Sequence, residues 1–274
     1  MKRLLKADLY RVMKSRLSLI ALILAVAFPV LVVLLYAGMG VITGLDEGLE
    51  ETGALFNANS IIGSVYSLSN NIGLVVPAFA GILVCTDYTN GTLRNKVIAG
   101  NRRTEIYFSH LLVSILFSVA IITLYAAITT GLALLFFPFR WDSSQNLAQE
   151  ILYFVAEGTM SFVFMAAFTT MLAMVTRSTA PTIIFTILFA IVLLSVSSVV
   201  MLTNYEKYKY AVYFIPTFGG NFFGMNDFSL LALLGQNVYA SKKLIFSESM
   251  LSYAFFSAVH TVIGLLVFKK RDIR

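Results

Sequence analysis

Residues able to do chemistry are scarce in this sequence and widely spaced. It has two histidines, His110 and His260, and one cysteine, Cys85. A single cysteine excludes an internal disulfide and any multi-cysteine metal site. The histidines form no H-E-x-x-H pair, and hydrogen bonds between packed helices explain them more simply than a metal does. We expect Cys85 to act as a small apolar residue at a helix end.

The acidic residues offer one further candidate. Glu50 and Glu51 are adjacent in a polar stretch, where solvated charge is the simplest interpretation. Glu157 instead lies inside an apolar run, and a carboxylate within a membrane is costly and often functional. We expect it about one turn from the outer end of its helix, where it could also reach the headgroup region. A functional role and simple exposure are therefore equal alternatives.

Phosphate-binding chemistry is missing from the sequence. The phosphate-cradling loop G-x-x-x-x-G-K-[ST] requires a Gly-Lys dipeptide, and the chain contains none. We therefore predict that this chain binds no cofactor. If ATP is used, another polypeptide must bind it.

The elements that position these residues are predicted to be membrane helices. Hydrophobic residues make up 58% of the chain and charged residues 12%, against about 25% charged in ordinary globular domains. Crossing a bilayer takes about 20 mostly apolar residues, and backbone hydrogen bonds must then close within each span. The sequence thus predicts a single all-α integral membrane domain, 1–274. Its six spans are expected at about 17–36, 61–85, 106–137, 151–175, 181–202 and 251–268.

The distribution of charge predicts the orientation. Most of the 20 basic residues lie before the first span, between the second and third spans, or after the last. The loop after the first span carries four carboxylates and no basic residue. The positive-inside rule then places the N- and C-termini in the cytoplasm. Because the basic residues flank apolar spans, we expect them to meet lipid headgroups and not nucleic acid.

Two of the segments outside the predicted spans are expected to contact the membrane surface. Residues 1–16 are predicted to form an amphipathic helix along the inner membrane surface. Its apolar face would be Leu5, Leu9, Val12 and Met13, and its basic face Arg3, Arg11 and Lys14. Residues 203–250 contain no clean apolar run of spanning length, so we interpret them as an outer segment with interfacial or re-entrant helices.

The second span contains polar or helix-breaking residues at Asn70, Asn71 and Pro77. Neighbouring helices can satisfy the backbone groups that such residues free. They are candidates for lining a substrate path, with interhelical packing as the alternative.

A short helix is predicted in the loop 86–105. Asn90-Gly91 is a strong turn signal, Thr92 can begin a helix, and Gly100 suits its end. Leu93 and Val97 would share one face of it. Such a helix, held between two spans, is suited to passing movement from a cytoplasmic partner into the membrane.

This loop also carries a family resemblance. The stretch DYTNGTL at 87–93, the following Arg94-Asn95-Lys96, and NRRTEIY at 101–107 resemble the loop after the second span in bacterial type-2 ABC exporter permeases. The ending FKKRD at 268–272 and the plan of the whole chain are also similar. Asp87 departs from the pattern, since glutamate is more usual there.

The resemblance implies the membrane subunit of an exporter in the bacterial cytoplasmic membrane. A second permease subunit and a separate subunit that binds ATP and Mg²⁺ would be its partners, and an amphiphile such as an antimicrobial peptide (bacitracin or a lantibiotic) its cargo. The implied contacts with the ATP-binding subunit are Asp87, Tyr88, Gly91, Thr92, Leu93, Arg94, Lys96, Val97, Ile98 and Arg103. A substrate path would include Asn70, Asn71, Pro77 and Glu157.

Two other classes of protein fit the sequence less well. An ion- or proton-coupled secondary transporter should place several ionisable groups in mid-membrane, and the sequence offers only Glu157, His110 and His260. An intramembrane enzyme would need a metal or catalytic pair at fixed spacing, and the sequence shows none.

Overall fold

The structure, a computed structural model, describes residues 1–42, 58–66, 72–137, 139, 147–203 and 242–270, and these are helices joined by turns. The helices are α1 Lys2–Met13, α2 Arg16–Ile42, α3 Ala58–Gly63, α4 Val75–Thr89, α5 Thr92–Ile98, α6 Arg103–Phe136, α7 Leu147–Thr176, α8 Thr179–Thr203 and α9 Lys242–Lys270. The predicted outer segment 203–250 falls largely outside these residues.

Four of the described helices, α2, α6, α7 and α9, are long and apolar enough to cross a membrane. Shorter apolar stretches occur at Val75–Thr89 in α4 and Thr179–Leu193 in α8. The all-helical, membrane-type fold expected from the hydropathy is confirmed at this level.

The predicted second span, 61–85, is not one helix. α3 ends at Gly63 and is followed by a turn, and a second turn over 72–74 precedes α4. Pro77 is the third residue of α4, in the first turn, where a helix tolerates proline. Proline therefore sits in the first turn of a new helix instead of interrupting a continuous one. Asn70 and Asn71 lie outside the described residues.

α7 is the centre of the bundle, contacting α4, α6, α8 and α9. Every side chain from Phe164 to Met171 is buried. α8 returns antiparallel to α7 after a tight turn, and Phe168 stacks on Phe189 at 3.9 Å between ring centroids. α9 runs parallel to α7, because Tyr153 stacks on Phe246 near the start of both helices while Phe168 meets His260 farther along.

The outward surfaces of α2 and α9 are apolar. α2 exposes large side chains along a shallow groove lined by Leu22, Val26, Val30 and Leu34. Leu251 and Leu266 are exposed on α9. A helix that is apolar on its solvent-facing side fits lipid and not water.

Both ends of the described chain lie beside the start of α6. The N-terminal ammonium is 3.9 Å from Glu105 Oε1, and Arg103 donates a hydrogen bond of 2.8 Å to the carbonyl oxygen of Lys269. α6 has 34 residues and is about 51 Å long. This exceeds the roughly 30 Å of hydrocarbon in a bilayer, which leaves its first turns free to pack against α1 and α5.

The predicted N-terminal helix is present as α1, but its faces differ from those expected. Val12 is buried and Leu5 packs on the core, whereas Met13 is 71% exposed. Asp8 is buried on the same side as Val12. α1 ends at Met13, and Ser18 Oγ then donates to the carbonyl oxygen of Val12 at 2.5 Å.

Candidate functional site

A cluster of ionisable side chains lies where α1, α4, α5 and α6 meet, and all of its members except Arg11, which is 37% exposed, are largely buried. It consists of Asp8 and Arg11 on α1, Asp87 on α4, Lys96 on α5 and His110 on α6. We call these five residues the charge cluster. Their formal charges balance when the His110 imidazole is neutral.

Asp87 lies at the centre of the charge cluster. Its side chain is 1% exposed. Arg11 binds its carboxylate in a bidentate manner, with Nη1 on Oδ1 and Nη2 on Oδ2 at 2.6 Å. Lys96 Nζ and His110 Nε2 each lie 3.2 Å from Oδ2. Asp87 thus joins three other helices through one side chain.

Lys96 makes the second set of contacts. Its Nζ donates to Asp8 Oδ1 at 2.6 Å and to Asp87 Oδ2 at 3.2 Å, and it lies 3.2 Å from His110 Nε2. An ammonium has three donors, and the third is free for His110 Nε2 in the tautomer whose proton is on Nδ1; in the other tautomer Nε2–H donates to Asp87 Oδ2 instead. Ser109 completes the coordination of Asp8 by donating to Oδ2 at 2.7 Å.

The electrostatics follow from burial and pairing. Burial by itself raises the pKa of Asp8, but the hydrogen bond from Lys96, the nearby His110 and the hydrogen bond from Ser109 more than offset it and lower that pKa. Burial lowers the pKa of Lys96, and its hydrogen bond to Asp8 opposes the shift. Burial also lowers the pKa of Arg11.

A buried ion cluster of this kind specifies an arrangement more than it adds net stability. Desolvation of each ion costs several kcal/mol, about as much as the pairing returns, whereas removing one partner strands the others. The charge cluster therefore holds α1, α4, α5 and α6 in one relative position.

α5 is also anchored by packing. Leu93 is 1% exposed and belongs to a buried cluster that includes Ile106 on α6, Met174 on α7 and Phe268 on α9. The expectation that Leu93 faces a cytoplasmic partner is therefore wrong, because this chain's own core already surrounds it. Val97 is half-buried against the same cluster.

The turn before α5 has the predicted form. Gly91 has φ +66° and Gly100 has φ +83°, in the left-handed region that glycine adopts without strain. Thr92 Oγ1 donates to the carbonyl oxygen of Asp87 at 3.1 Å, which ties the first turn of α5 back to the end of α4. The predicted helix between two turns is confirmed.

Tyr88 and Arg103 are likewise used within the chain. Tyr88 Oη donates to Met174 Sδ at 3.1 Å, and the Arg177 guanidinium lies 5.9 Å from the Tyr88 ring centroid. Arg103 donates to backbone carbonyls at the end of α9. The outward face of α5 is left to Arg94, Asn95 and Ile98, the last of which is 72% exposed.

Sequence reasoning missed Asp8, Arg11 and Ser109 as members of this site. A signal was available, because Asp8 lies three residues after Leu5 and four before Val12, in the middle of the apolar face of α1. A carboxylate there needs a buried partner. The partner, Lys96, is 88 residues away in sequence and could not be read from local spacing.

Glu157 lies in a separate polar site, away from the charge cluster. It is 0% exposed, and because α7 begins at Leu147 it is about 15 Å from the start of the helix. It is therefore enclosed by side chains of this chain, and simple exposure is excluded. Pro77 is buried in α4. Its companions in the proposed path, Asn70 and Asn71, are not among the described residues.

The remaining residues with reactive side chains, His260 and Cys85, pack against other side chains of the bundle. His260 packs against the rings of Phe164 and Phe168 at 5.4 and 5.1 Å. Cys85 Sγ is 3.3 Å from Thr182 Oγ1. Within the described part of the chain, no group of three or more histidine, cysteine or acidic side chains could hold a metal ion.

The family described as "Protein of unknown function (DUF2705)" matches residues 56–274. The chain belongs to this family. Asp87, Lys96, His110 and Glu157 lie within the matched part, whereas α1, with Asp8 and Arg11, precedes it. No curated protein matches the chain.

Proposed function

We propose that this chain is the permease subunit of an ATP-binding-cassette exporter, which moves an amphiphilic substrate outward using ATP and Mg²⁺ bound by a separate subunit. The observation that carries the proposal is the double anchoring of α5. Its Lys96 is held by Asp8 and Asp87, and its Leu93 is buried against α6, α7 and α9.

Anchoring on both sides makes α5 a suitable receiver of force. A push on its exposed face would move α1 through Lys96 and Asp8, and α4 through the turn at Gly91. Interiors that are this closely packed transmit strain instead of absorbing it. We therefore assign docking of the ATP-binding subunit to Arg94 and Ile98, with the exposed Tyr10 and Met13 of α1 as its border.

The proposed topology has six spans with both termini in the cytoplasm. In support of this topology, α7 and α9 run parallel to each other, and α8 runs antiparallel to α7 beside it. α8 therefore covers the same depth as α7. The two ends of the described chain also lie together on the side rich in basic residues. A second permease subunit would complete the assembly in the bacterial cytoplasmic membrane.

The proposed cargo is an amphiphile such as a cationic antimicrobial peptide. The support is electrostatic, since the loop expected on the outer side carries Asp46, Glu47, Glu50 and Glu51 with no basic residue. Such a surface would attract cationic peptides.

Docking is tested by surface variants of α5 that spare its buried face. The chain would be purified from its own cells through an affinity tag, and the ATPase that co-purifies with it and the Mg-ATP hydrolysis of the sample would be measured. We expect Arg94→Glu with Ile98→Asp to lower ATPase recovery by about tenfold or more. Lys270→Glu reverses an exposed charge at the same end of the molecule and should leave recovery unchanged.

Equal recovery from all three chains would count against docking at α5. ATP hydrolysis by the purified chain alone would overturn the assignment of that activity to a separate subunit. Peptide resistance that persists when the ATPase is inactivated would favour an ion-coupled carrier.

A further inference from the structure

The Glu157 carboxyl is fully buried and unsatisfied. Neither carboxyl oxygen has a hydrogen-bond partner among the described residues. Ser249 on α9 is close enough to influence the carboxyl electrostatically, but it makes no hydrogen bond of standard geometry with it. On the other side, Tyr66 packs directly on Gly158 and is in edge-to-face contact with Phe154.

Glu157 stands at one end of a polar face on α9. Ser249, Ser252, Ser257 and His260 follow one another at i, i+3, i+8 and i+11, which places them on one side of the helix. Each has a buried polar atom without a partner in the described structure. The face extends about 16 Å and is directed at α7, because His260 contacts Phe164 and Phe168.

Unsatisfied polar atoms in such a row are expensive. Each buried donor or acceptor without a partner costs about 1–3 kcal/mol, and buried water commonly supplies the missing bonds. An ionised carboxylate without a cation or donor costs far more, so the geometry favours the neutral acid at Glu157.

The charged groups of the surrounding helices do not alter this conclusion. Asp87 on α4 and His110 on α6 belong to the charge cluster, which lies at the ends of those helices that are far from Glu157. α8 has no ionisable residue. The titratable side chains buried around this half of α7 are the phenols of Tyr66, Tyr125 and Tyr253.

α9 contributes His260, about 16 Å from Ser249 along the helix. The side chains of Lys242, Lys243 and Glu248 lie outside the described part of α9. No described ion pair involves Glu157.

We propose that Glu157 is an intramembrane proton-binding site, and that the polar face of α9 is the hydrated route by which its proton exchanges with water. Binding converts a carboxylate and a hydronium ion into the carboxylic acid and water. The site is independent of nucleotide and of the docking surface on α5, so it stands or falls separately from the exporter proposal.

The protonation state is tested by thermal unfolding of the full chain in lipid nanodiscs across a pH series. Glu157→Gln replaces the neutral acid by a neutral group of the same shape. We expect wild type and variant to have the same midpoint at acidic pH. Wild type should fall below the variant as the pH rises above the ordinary glutamate pKa of about 4.3, because the unfolded chain then releases a proton that the folded chain keeps.

Two outcomes would overturn the site. A variant that is less stable than wild type at neutral pH, by a difference that shrinks under acid, would mean that Glu157 is ionised and paired with a cation. Curves that coincide throughout would mean that the carboxyl is solvated.

Infrared spectroscopy tests the exchange route. At neutral pH the wild type should show the C=O band of a carboxylic acid that Glu157→Gln lacks, and transfer to D₂O should shift this band. The shift should be slower in Ser252→Ala with Ser257→Ala. Ser195→Ala removes a hydroxyl on α8 that is already bonded to the carbonyl oxygen of Ile191, and should leave the rate unchanged. Equal rates in all of these chains would exclude the route.

Discussion

Asp87 and Asp8 each make their shortest contacts with a different cation of the charge cluster. Asp87 binds Arg11 through both carboxylate oxygens, and Asp8 takes the shortest contact from Lys96. Arg11 suits a bidentate partner because its guanidinium is a planar fork, whereas Lys96 is a point charge that can serve several acceptors at once. Each residue type fits the contacts it makes.

Neutralising Asp87 should destabilise the chain strongly. Asp87→Asn leaves Arg11 and Lys96 without their shared carboxylate, and breaking a buried pair costs on the order of 3–5 kcal/mol. Glu105→Gln removes a partly exposed carboxylate from the N-terminal ammonium and should cost less than about 1 kcal/mol. Equilibrium unfolding in detergent measures both. Equal losses would show that Asp87 is not held as an ion pair.

The contribution of Asp8 should depend on pH. Because pairing lowers its pKa in the folded chain, its stabilisation is complete above its ordinary pKa of about 4 and is lost as the pH falls through the lower folded value. Wild type should therefore exceed Asp8→Asn in unfolding free energy at neutral pH, and the difference should shrink under acid. A difference that stays constant from neutral to acidic pH would assign the effect to packing alone.

Close packing decides how individual helices meet. Gly158 on α7 has no room for a side chain, since an added Cβ would overlap the Cβ and ring of Tyr66. Gly131 on α6 has no atom within 4 Å of the same position. Both glycines occur inside apolar helices, so the sequence alone does not distinguish them.

Alanine at these two positions should have opposite effects. Gly158→Ala forces the Tyr66 ring aside and should cost about 1–3 kcal/mol, as overpacking does. Gly131→Ala should be neutral or stabilise α6 by about 0.5–1 kcal/mol, because alanine has less backbone freedom to lose. Unfolding midpoints of the two variants in the same detergent provide the comparison. Destabilisation of similar size at both positions would contradict the placement of Tyr66.

On the scale of the whole molecule, most basic residues of the described part lie at one end, although Lys242 and Lys243 begin α9 at the other. α1, α5 and the last turn of α9 lie around the start of α6, where Arg103 reaches the backbone of Lys269. The polar site at Glu157 lies in the other half of α7. The described part of the chain thus has a charged end and an apolar body that holds the buried acid Glu157.

Labelling with a membrane-impermeant maleimide tests the proposed orientation. In a Cys85→Ser background, we expect Ile98→Cys and Lys270→Cys to be protected in intact cells and to react once the cells are opened. Glu50→Cys should react in intact cells, because it lies in the loop expected outside. Reaction of Ile98→Cys in intact cells would show that the orientation is the reverse of the one proposed, and would contradict docking of a cytoplasmic subunit at α5.

The sequence by itself determined what depends on composition and on neighbouring residues. Apolar run length predicted long membrane-type helices, and Asn90-Gly91 and Gly100 predicted a helix between two turns, which the structure has at Thr92–Ile98. These features are local, since hydropathy and turn chemistry act within a few residues.

Only the tertiary structure decided which side chains meet. It placed Leu93 in the core, broke the predicted second span into α3 and α4, and brought Asp8 to Lys96 across 88 residues. It also showed Glu157 enclosed and not at the surface. In an apolar chain almost every helix face is hydrophobic, so periodicity does not say which face is buried. Packing between helices makes that choice.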